Sequence, residues 1–340
     1  MNFILTIDTE ADNQWDHGSE LSVKNIAFLP RFQNLCSKYN IKPTYLVTSE
    51  VCEDGFAREL LSDYHLTGQA EIGAHLHSWT TLPFLNEAGY RYNDVNHAFA
   101  NELPVILLKE KLKNLTNQIE KSFGIRPTSF RSGRYGFNEN VARILVENSY
   151  LVDSSITPYT NWSKYEGIPG GEGGPDFSEK TPFPYKFNYP NGSLLELPVT
   201  ILPTRFPFNR INTFAKSYFR QVDNSIMLRI LRRLLYQNQP LWLRPYNWTT
   251  VDHFKEMIVT AKAIKLPYMV MIFHSSELMP GSSIYRADNK AIEKLYELLE
   301  NFFCLMVNEK ITSVSLTEAA IKYKQWSSVV ENAGDISVLS

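Results

Sequence analysis

Phe3-Ile4-Leu5-Thr6-Ile7-Asp8-Thr9-Glu10 opens the chain as a short apolar run that ends in two carboxylates. The same design recurs at His75-Leu76-His77 and at His274-Ser275-Ser276-Glu277, each of which follows its own apolar run. Polar side chains at the ends of buried strands are how α/β enzymes assemble a site from distant parts of the chain. The repeated pattern therefore predicts an α/β protein with a hydrolytic metal centre.

The composition is that of a globular enzyme. The chain has 340 residues, of which 44% are hydrophobic and 21% charged, so it can bury a sizeable core. A net charge of −2 argues against a nucleic-acid-binding surface. The three cysteines, Cys36, Cys52 and Cys304, form no CxxC pair, which indicates a reducing compartment.

Targeting features are absent from the sequence as given. Only a short apolar run separates Met1-Asn2 from Asp8, with no basic leader and no small-residue cleavage site. No apolar run approaches the roughly 20 residues that span a bilayer. We therefore expect a cytoplasmic protein.

Strand-like and helix-like segments alternate over the first 150 residues. The predicted strands cover 3–7, 43–47, 70–74, 129–131 and 151–153, and the predicted helices cover 23–39, 56–66, 104–123 and 139–148. Such alternation predicts parallel strands joined by crossover helices, in either an open doubly wound sheet or a barrel. In a barrel, the chemistry gathers at the carboxyl ends of the strands.

The second half begins with a glycine- and proline-rich region. We interpret 157–215 as an irregular insertion or part of the active-site rim, with short strands near Leu194–Pro198. Regular structure is predicted to return at 212–237, 240–243, 251–265, 268–273, 288–308 and 311–315. We expect one domain over 1–325 and a loose tail over 326–340.

Asp8 and Glu10 lie two residues apart, so an extended chain places both side chains on one face. One carboxylate can then bind a cation while the other takes a proton from water. The alternative is a helix-capping Asp or a solvated loop. Asp12 and Asp16 add negative charge nearby, which is costly unless a cation neutralises part of it.

His75 and His77 show the same spacing. On an extended segment both imidazoles point the same way, and such a pair can grip a divalent metal, although it can also be incidental. Two histidines and one carboxylate leave coordination positions open for water and substrate, as a catalytic site requires.

Three further residues end predicted strands. Arg131 precedes a glycine-containing turn and can orient a carboxylate through a paired contact, or form a purely structural salt bridge. Asp153 is the expected buried partner for this arginine or for a histidine. His274 ends the strongest strand and suits a general acid, or serves a structural role.

Taken together, these motifs resemble the polysaccharide deacetylase family (NodB homology, carbohydrate esterase family 4), and more closely its WalW-type branch. The matching stretches follow the family's order across about 3–282: 6–10, 73–79, 130–136, 152–155, 242–245 and 273–281. The resemblance implies a distorted (β/α) barrel of about seven strands. It also implies a divalent metal, usually zinc, and removal of acetyl groups from N-acetylated sugars.

The resemblance also implies roles for single residues. Asp8 matches the catalytic base and Arg131 the arginine that holds it. Tyr135 lies where a backbone N–H would stabilise the oxyanion, and His274 matches the general acid, kept cationic by a carboxylate such as Asp153.

The metal ligands implied are Glu10, His75 and His77, with Asp8 beside them. Two positions depart from the family pattern. Thr9 stands where the family has a second adjacent Asp, so Glu10 takes its place. Trp79 stands where the family has its second histidine, four residues after the first, so His77 must serve instead.

The expected partner is a carbohydrate: an N-acetylated sugar, nucleotide-linked or lipid-linked, used as a cytoplasmic precursor in surface-polysaccharide synthesis. A basic amphipathic stretch over 205–235 fits a diphosphate or at most peripheral membrane contact, or simply a core-facing helix. Stacking on sugar rings is a possible role for several aromatic residues, which also fit a core: Trp79, Trp162, Trp242, Tyr246 and Trp248.

Two other functions fit the same motifs. One is a related amidohydrolase that acts on a non-sugar C–N bond, with or without metal. The other is a non-catalytic carbohydrate-binding relative, which the changes at Thr9 and Trp79 favour. Retention of Asp8, Arg131 and His274 argues against the binder, because binding alone needs neither a base nor an acid.

Overall fold

The computed structural model describes residues 1–12, 21–84, 98–203 and 240–324. The strands in these ranges are β1 (Asn2–Thr9), β2 (Pro43–Val47), β3 (Glu71–Leu76), β4 (Ser129–Ser132), β5 (Val152–Asp153), β6 (Tyr185–Tyr189), β7 (Gly192–Glu196), β8 (Ile201–Leu202), β9 (Leu241–Trp242), β10 (Tyr268–His274) and β11 (Thr312–Ser313). The helices are α1 (Leu29–Lys38), α2 (Ser49–Glu53), α3 (Gly55–Leu66), α4 (Val105–Phe123), α5 (Glu139–Glu147), α6 (Val251–Ala263) and α7 (Asn289–Asn308), and a last helical stretch covers 316–324.

Nine of these strands form one curled, mostly parallel sheet in the order β10-β1-β2-β3-β4-β5-β7-β6, with β11 pairing with β1 as well, whereas β8 and β9 form a separate antiparallel pair. Only the β6–β7 hairpin within it is antiparallel. The central strand β1 is almost entirely buried, as expected for a parallel strand that is covered on both faces. This arrangement confirms the predicted α/β class and the distorted (β/α) barrel.

A short segment links the two ends of the curl. The amide of Val199 donates to the carbonyl of Ile156, just after β5, at 2.9 Å. The next amide, that of Thr200, donates to the carbonyl of Val270 in β10 at 3.0 Å. The segment therefore lies between β5 and β10, and the parallel strands curve around a common interior.

The two faces of the sheet bury different residues. In β1, Phe3, Leu5 and Ile7 pack in the large cluster that includes the helices, whereas Ile4 packs with residues inside the curl. Because side chains alternate along a strand, Asp8 lies on the interior face with Ile4. Polar side chains therefore line the interior of the barrel where the parallel strands have their carboxyl ends.

Most predicted elements match the observed ones within a few residues. One difference is at 23–39, where a 3₁₀ turn over Lys24–Phe28 precedes α1. Pro30 explains it: proline fits the first helical turn, where α1 starts, but would interrupt a helix that began at residue 23. The predicted irregular insertion at 157–215 also differs from the structure, because β6 and β7 within it form a hairpin that joins the sheet next to β5.

Some predictions fall outside the described residues: Asp16, the helix at 212–237, the basic stretch from 205 to 235 and the tail after 325. A bilayer-spanning helix is not found among the residues that the structure describes. The single domain over 1–325 stays a prediction.

Candidate metal centre

Glu10, His75 and His77 come together at the carboxyl edge of the sheet. The Oε2 atom of Glu10 lies 3.1 Å from Nε2 of His77 and 3.5 Å from Nε2 of His75. One ligand atom from each side chain lies within 4.8 Å of the other two, and all three residues are buried. The two i, i+2 pairs recognised in the sequence therefore face each other from β1 and from the end of β3.

The spacing fits a small divalent cation. Tetrahedral zinc, with bonds of roughly 2.0–2.1 Å, places neighbouring ligand atoms about 3.3 Å apart. The Nδ1 atom of His75 lies 3.0 Å from the carbonyl oxygen of Arg131. A carbonyl only accepts hydrogen bonds, so Nδ1 carries a proton, and Nε2 points toward Glu10 and can bind a cation when the ring is neutral. One carboxylate and two imidazoles with this orientation are a suitable donor set for zinc.

The His77 ring is held by two neighbours. It stacks on Trp79 with ring centroids 4.2 Å apart and an interplanar angle of 21°. The backbone of Gly133 lies at the edge of this stack, where an added β-carbon would fall 2.7 Å from Cδ2 of His77 and 3.2 Å from Cη2 of Trp79. Trp79 itself is buried, so the stack fixes the orientation of the His77 ring.

Glu50 approaches the remaining nitrogen of His77. Its Oε1 atom lies 3.9 Å from Nδ1 of that ring, and its side chain is mostly buried. A carboxylate behind a metal-binding histidine fixes the ring and raises its basicity. Glu50 belongs to the first turn of α2, and the sequence analysis missed it.

Asp8 is held by Arg131. The guanidinium Nη1 donates to Oδ1 of Asp8 at 2.6 Å, and its other nitrogens donate to the carbonyl and hydroxyl oxygens of Ser154. Burial by itself raises the pKa of Asp8, but the charges of Arg131 and His75 outweigh burial and lower it below 3.8. Asp8 is therefore ionised at neutral pH.

Glu10 and His75 shift each other's pKa in opposite directions, and both shifts favour the charged forms. Burial opposes ionisation of Glu10, yet the nearby histidines lower the pKa of this carboxyl well below 4.5. Burial also opposes a charge on His75, but Asp8 and Glu10 raise its pKa above 6.5. Two buried, ionised carboxylates need positive partners, which protonated imidazoles supply at low pH and a bound cation can supply when the imidazoles are neutral.

His274 faces the same pocket from β10. Its Nε2 atom lies 3.9 Å from Oδ2 of Asp8 and 4.0 Å from Oε1 of Glu10. Strand register explains the meeting, because Asp8 and His274 are direct partners in the β1–β10 ladder.

The other side of the His274 ring contacts a buried ion pair. Its Nδ1 atom lies 3.0 Å from Nη2 of Arg244 and 3.3 Å from Oε1 of Glu277, and these two residues bond to each other at 2.6 Å. Arginine can only donate, so a neutral ring accepts at Nδ1 and keeps its proton on Nε2. In the cationic ring, Nδ1–H would donate to Glu277. Either form directs an Nε2–H group toward the pocket.

Asp153 does not take the predicted place beside His274; Glu277 does. In the β4–β5 ladder, Asp153 pairs with Phe130, whose side chain packs on the helix side of the sheet. Asp153 therefore lies on the face opposite Asp8, where it accepts from the amide and hydroxyl of Ser155 at 2.9 and 2.7 Å. Its partner in the next ladder is Glu196, another buried carboxyl group.

The carboxyls of Asp153 and Glu196 contact each other in this buried layer. Burial is the main reason that the pKa of both carboxyls is raised, and for Glu196 the neighbouring Asp153 raises it further. Two facing carboxyls at such a position share a proton rather than both ionise.

Tyr135 follows β4 in a strained turn. Both Arg134 and Tyr135 have left-handed backbone angles, with φ of 52° and 61°. Consecutive non-glycine residues in this region are uncommon, and such strain concentrates at functional sites. The Tyr135 ring stacks on Trp162 at 5.3 Å, and burial raises the pKa of its hydroxyl. The role of its backbone N–H stays a prediction.

The residues that sequence reasoning missed, or did not place at the site, are Glu50, Arg244, Glu277 and Glu196. Arg244 and Glu277 lay within motifs quoted from the sequence, and that was the available signal. Glu50 and Glu196 follow strand-like runs, as the recognised site residues do.

Comparison with known proteins gives a likeness of fold. No family model matches the sequence, and no protein of curated function matches it. A protein of Mycobacterium smegmatis named as a polysaccharide deacetylase superposes with a TM-score of 0.54 at 14% identity, covering 96% of this chain and 91% of its own. One from Pseudomonas aeruginosa PAO1, also named as a polysaccharide deacetylase, gives 0.51 at 13% identity, covering 95% and 90%. The chain therefore has the distorted barrel of proteins that carry this name.

Proposed function

We propose that this protein is a metal-dependent hydrolase of the polysaccharide deacetylase type, in its WalW-type branch, and removes acetyl from an N-acetylated sugar. One observation carries the proposal. A buried carboxylate and two histidines form a cation-sized cluster, with an ionised Asp8 on one side and His274 within 4.0 Å of that cluster's carboxylate. A base, an acid and a metal site in one pocket are the parts that amide hydrolysis needs.

Glu10, His75 and His77 would hold the cation, most suitably zinc. When bound, the metal lowers the pKa of water to about 7 and polarises a carbonyl oxygen. This help is needed because the Arg131 salt bridge keeps the pKa of Asp8 low and so makes it a weak base.

Asp8 accepts the proton of the attacking water. Its Oδ1 atom is occupied by Arg131, and its Oδ2 atom faces His75 and His274 at 3.9 Å. Arg131 thus fixes the carboxylate while leaving the second oxygen directed at the pocket. The negative charge that grows on the acetamide oxygen is stabilised by the backbone N–H of Tyr135, as the family resemblance suggests.

His274 donates a proton from Nε2 to the departing amine. Glu277, whose pKa is lowered by Arg244 and His274 despite its burial, is an anion positioned to stabilise the imidazolium. It takes the role first assigned to Asp153. An acid and a base whose side chains lie 3.9 Å apart beside the metal cluster allow one pocket to perform both proton transfers.

For substrate, we propose an N-acetylated sugar attached to a nucleotide or lipid, acted on in the cytoplasm during surface-polysaccharide synthesis. The support is the basic stretch over 205–235 of the sequence, whose charge suits a diphosphate. Two other activities are outcomes of the test below: hydrolysis of a non-sugar C–N bond, and sugar binding without turnover.

The test measures acetate release from N-acetylhexosamines by the zinc-loaded protein, before and after chelation. We expect release that chelation abolishes and zinc restores. His274→Ala should lower kcat by about two to four orders of magnitude, the usual scale for a lost general acid. His65→Ala, which removes a histidine on α3, is the matched control and should leave kcat unchanged.

Three results would contradict the proposal. Near-normal turnover by His274→Ala would remove this residue from the mechanism. Acetate release that survives chelation would exclude metal dependence. Tight sugar binding with zinc present and no acetate release would identify a non-catalytic carbohydrate-binding protein.

A further inference from the structure

Lys111 is a fully buried lysine on helix α4, with none of its surface exposed. The helix around it packs into the large core cluster through Leu108, Leu112 and Leu115. Taking an ammonium group out of water is costly, so a lysine in this position needs compensating contacts. Burial lowers the pKa of Lys111 to about 8, which leaves the side chain charged at neutral pH.

The ammonium group of Lys111 binds the segment that follows β3. Its Nζ atom donates to the carbonyl oxygen of Thr81 at 2.5 Å and to that of Pro83 at 2.8 Å. Hydrogen bonds from a charged donor are about twice as strong as those between neutral groups. One turn further along α4, the side-chain amide of Asn114 donates to the carbonyl oxygen of Leu82 at 3.1 Å. Helix α4 therefore binds the three consecutive carbonyls of residues 81–83.

The same segment carries His77, one of the three candidate metal ligands. The carbonyl oxygen of His77 accepts from the amide of Thr81 at 3.0 Å and from that of Thr80 at 3.3 Å. These two bonds close a turn directly after the histidine. Thr81 therefore contacts Lys111 through its carbonyl group and His77 through its amide group, so the position of the lysine is passed to the turn through a single residue.

A second helix meets the first at Thr81. The hydroxyl of Ser49, the first residue of α2, donates to the hydroxyl oxygen of Thr81 at 3.1 Å, and both side chains are buried. The next residue of α2 is Glu50, whose carboxylate lies 3.9 Å from Nδ1 of His77. Thr81 thus joins α2, α4 and the turn after His77, and the contact from Lys111 is the charged one.

His77 needs such support because it lies just beyond the end of its strand. The β3–β4 ladder ends with the pair Leu76 and Ser132, so the sheet does not extend to the histidine. The position of the His77 ring decides whether the three candidate ligand atoms stay within 4.8 Å of one another. A binding group that is already in place loses less conformational freedom when its ligand arrives, which raises the affinity.

We propose that Lys111 is a positioning residue for the candidate metal centre. By binding the carbonyl oxygens of Thr81 and Pro83, it fixes the turn that presents His77 and so raises the affinity of the site for a divalent cation. This rests on the proposed function for the metal site, but not for the substrate. Lys111 acts through the backbone of Thr81 and takes no part in the chemistry.

The experiment measures the zinc affinity of the full chain by competition with a chromophoric chelator at neutral pH. Lys111→Met keeps an unbranched apolar stem and removes the ammonium group. We expect the affinity to fall about tenfold, the low end of the range for groups that orient metal ligands. Lys113→Met, an exposed lysine on the same helix, is the matched control and should leave the affinity unchanged.

Two further measurements separate positioning from stability. Urea unfolding of the metal-free variants establishes that each is folded where its affinity is measured. The visible absorption of the Co²⁺-loaded protein reports the arrangement of the ligands, and Lys111→Met should change this spectrum whereas Lys113→Met should not. Lys111→Gln keeps a neutral donor and should weaken zinc binding less than Lys111→Met does. Failure of both Lys111 variants to fold would overturn the positioning role, because the lysine would then be a requirement of the fold.

The positioning role and the proposed function can fail separately. If the folded Lys111→Met variant binds zinc as tightly as the wild type and its cobalt spectrum is unchanged, the positioning role is wrong and the hydrolase stands. If zinc affinity depends on Lys111 but the wild-type protein releases no acetate, the proposed hydrolase is wrong and the positioning role stands. If the wild-type protein does not bind zinc, both are wrong.

Discussion

Two groups of buried carboxyls lie on opposite faces of the same sheet and differ in charge. On the interior face, the pKa values of Asp8 and Glu10 are lowered although both residues are buried. On the helix-side face, the pKa values of Asp153 and Glu196 are raised at similar burial. Burial is the same for both groups, so the partners decide the charge.

The partners differ in type. The interior carboxyls face a guanidinium and three imidazoles, whereas the helix-side carboxyls face each other and the hydroxyl and amide groups of Ser155 and Ile156. The charge of Arg131 also acts on Asp153 and Glu196 but does not outweigh their burial, whereas the closer cationic partners of Asp8 and Glu10 do. The interior carboxyls are therefore ionised and suit a cation, and the helix-side carboxyls keep a proton.

The largest expected effect comes from removing the guanidinium of Arg131, which keeps the interior carboxyl of Asp8 ionised. Arg131→Met leaves Asp8 buried without its salt bridge and should lower the free energy of unfolding of the metal-free protein by about 3–5 kcal/mol at neutral pH. In the wild type, the low pKa of Asp8 contributes stability above pH 3.8 that is lost as the pH falls through the folded value. The variant lacks this contribution, so its deficit should shrink in acid. Urea titrations at several pH values measure both changes.

The control for this substitution is the double variant Asp8→Asn with Arg131→Met. Removing both charges avoids an unpaired buried ion and should recover part of the lost stability. If the single and double variants are equally unstable, the charge of Asp8 is not what Arg131 stabilises, and packing against Ser154 explains the loss instead.

A smaller effect should follow from removing a negative charge behind the interior cluster. Glu50→Gln leaves every ligand atom in place but removes the carboxylate 3.9 Å from Nδ1 of His77. Loss of such a supporting group typically weakens metal binding by about 10–100-fold. Competition with a chromophoric zinc chelator measures it. Glu53→Gln, at the other end of the same short helix, should leave the affinity unchanged. Equal affinities for the two variants would show that Glu50 does not support His77.

The smallest effect concerns the helix-side pair. Because the folded protein keeps a proton on Glu196 above its ordinary pKa of 4.5, unfolding releases that proton and stability falls as the pH rises. Glu196→Gln cannot release it and should flatten the fall by about 1 kcal/mol between pH 5 and 6, where one proton is worth about 1.4 kcal/mol per pH unit. Denaturant midpoints across this range measure the slope. Glu300→Gln, a surface control, should keep the wild-type slope.

The comparison also shows which parts of the site were accessible from sequence. Asp8 and Glu10, like His75 and His77, point to one side of the sheet, as period-two spacing predicts for any extended strand. The element bounds followed from apolar runs and from stop signals such as Gly124, which ends α4 with φ of 69°.

Asp153 shows what sequence spacing leaves undetermined. Its strand has only two residues, too few to show an alternation, so the register with β4 alone sets its face. A register shift of one residue exchanges the two faces of a strand. Glu50 and Glu277 reach the site through loop geometry after β2 and β10, which local patterns do not encode.

Gly133 determines the space available to the His77 ring, although it is not itself a candidate ligand. Its missing side chain is the space into which the His77 imidazole fits: a methyl group there would lie 2.7 Å from that ring and 2.8 Å from the carbonyl oxygen of Leu76. The His77 ring is packed against Trp79 and Leu76 belongs to β3, so neither can move without loss of packing. The position of the His77 imidazole at the candidate cation site therefore depends on Gly133 having no side chain, although Gly133 belongs to the turn after β4 and His77 follows β3. A substitution of Gly133 would therefore change the width of the candidate cation site while leaving its three donor side chains the same.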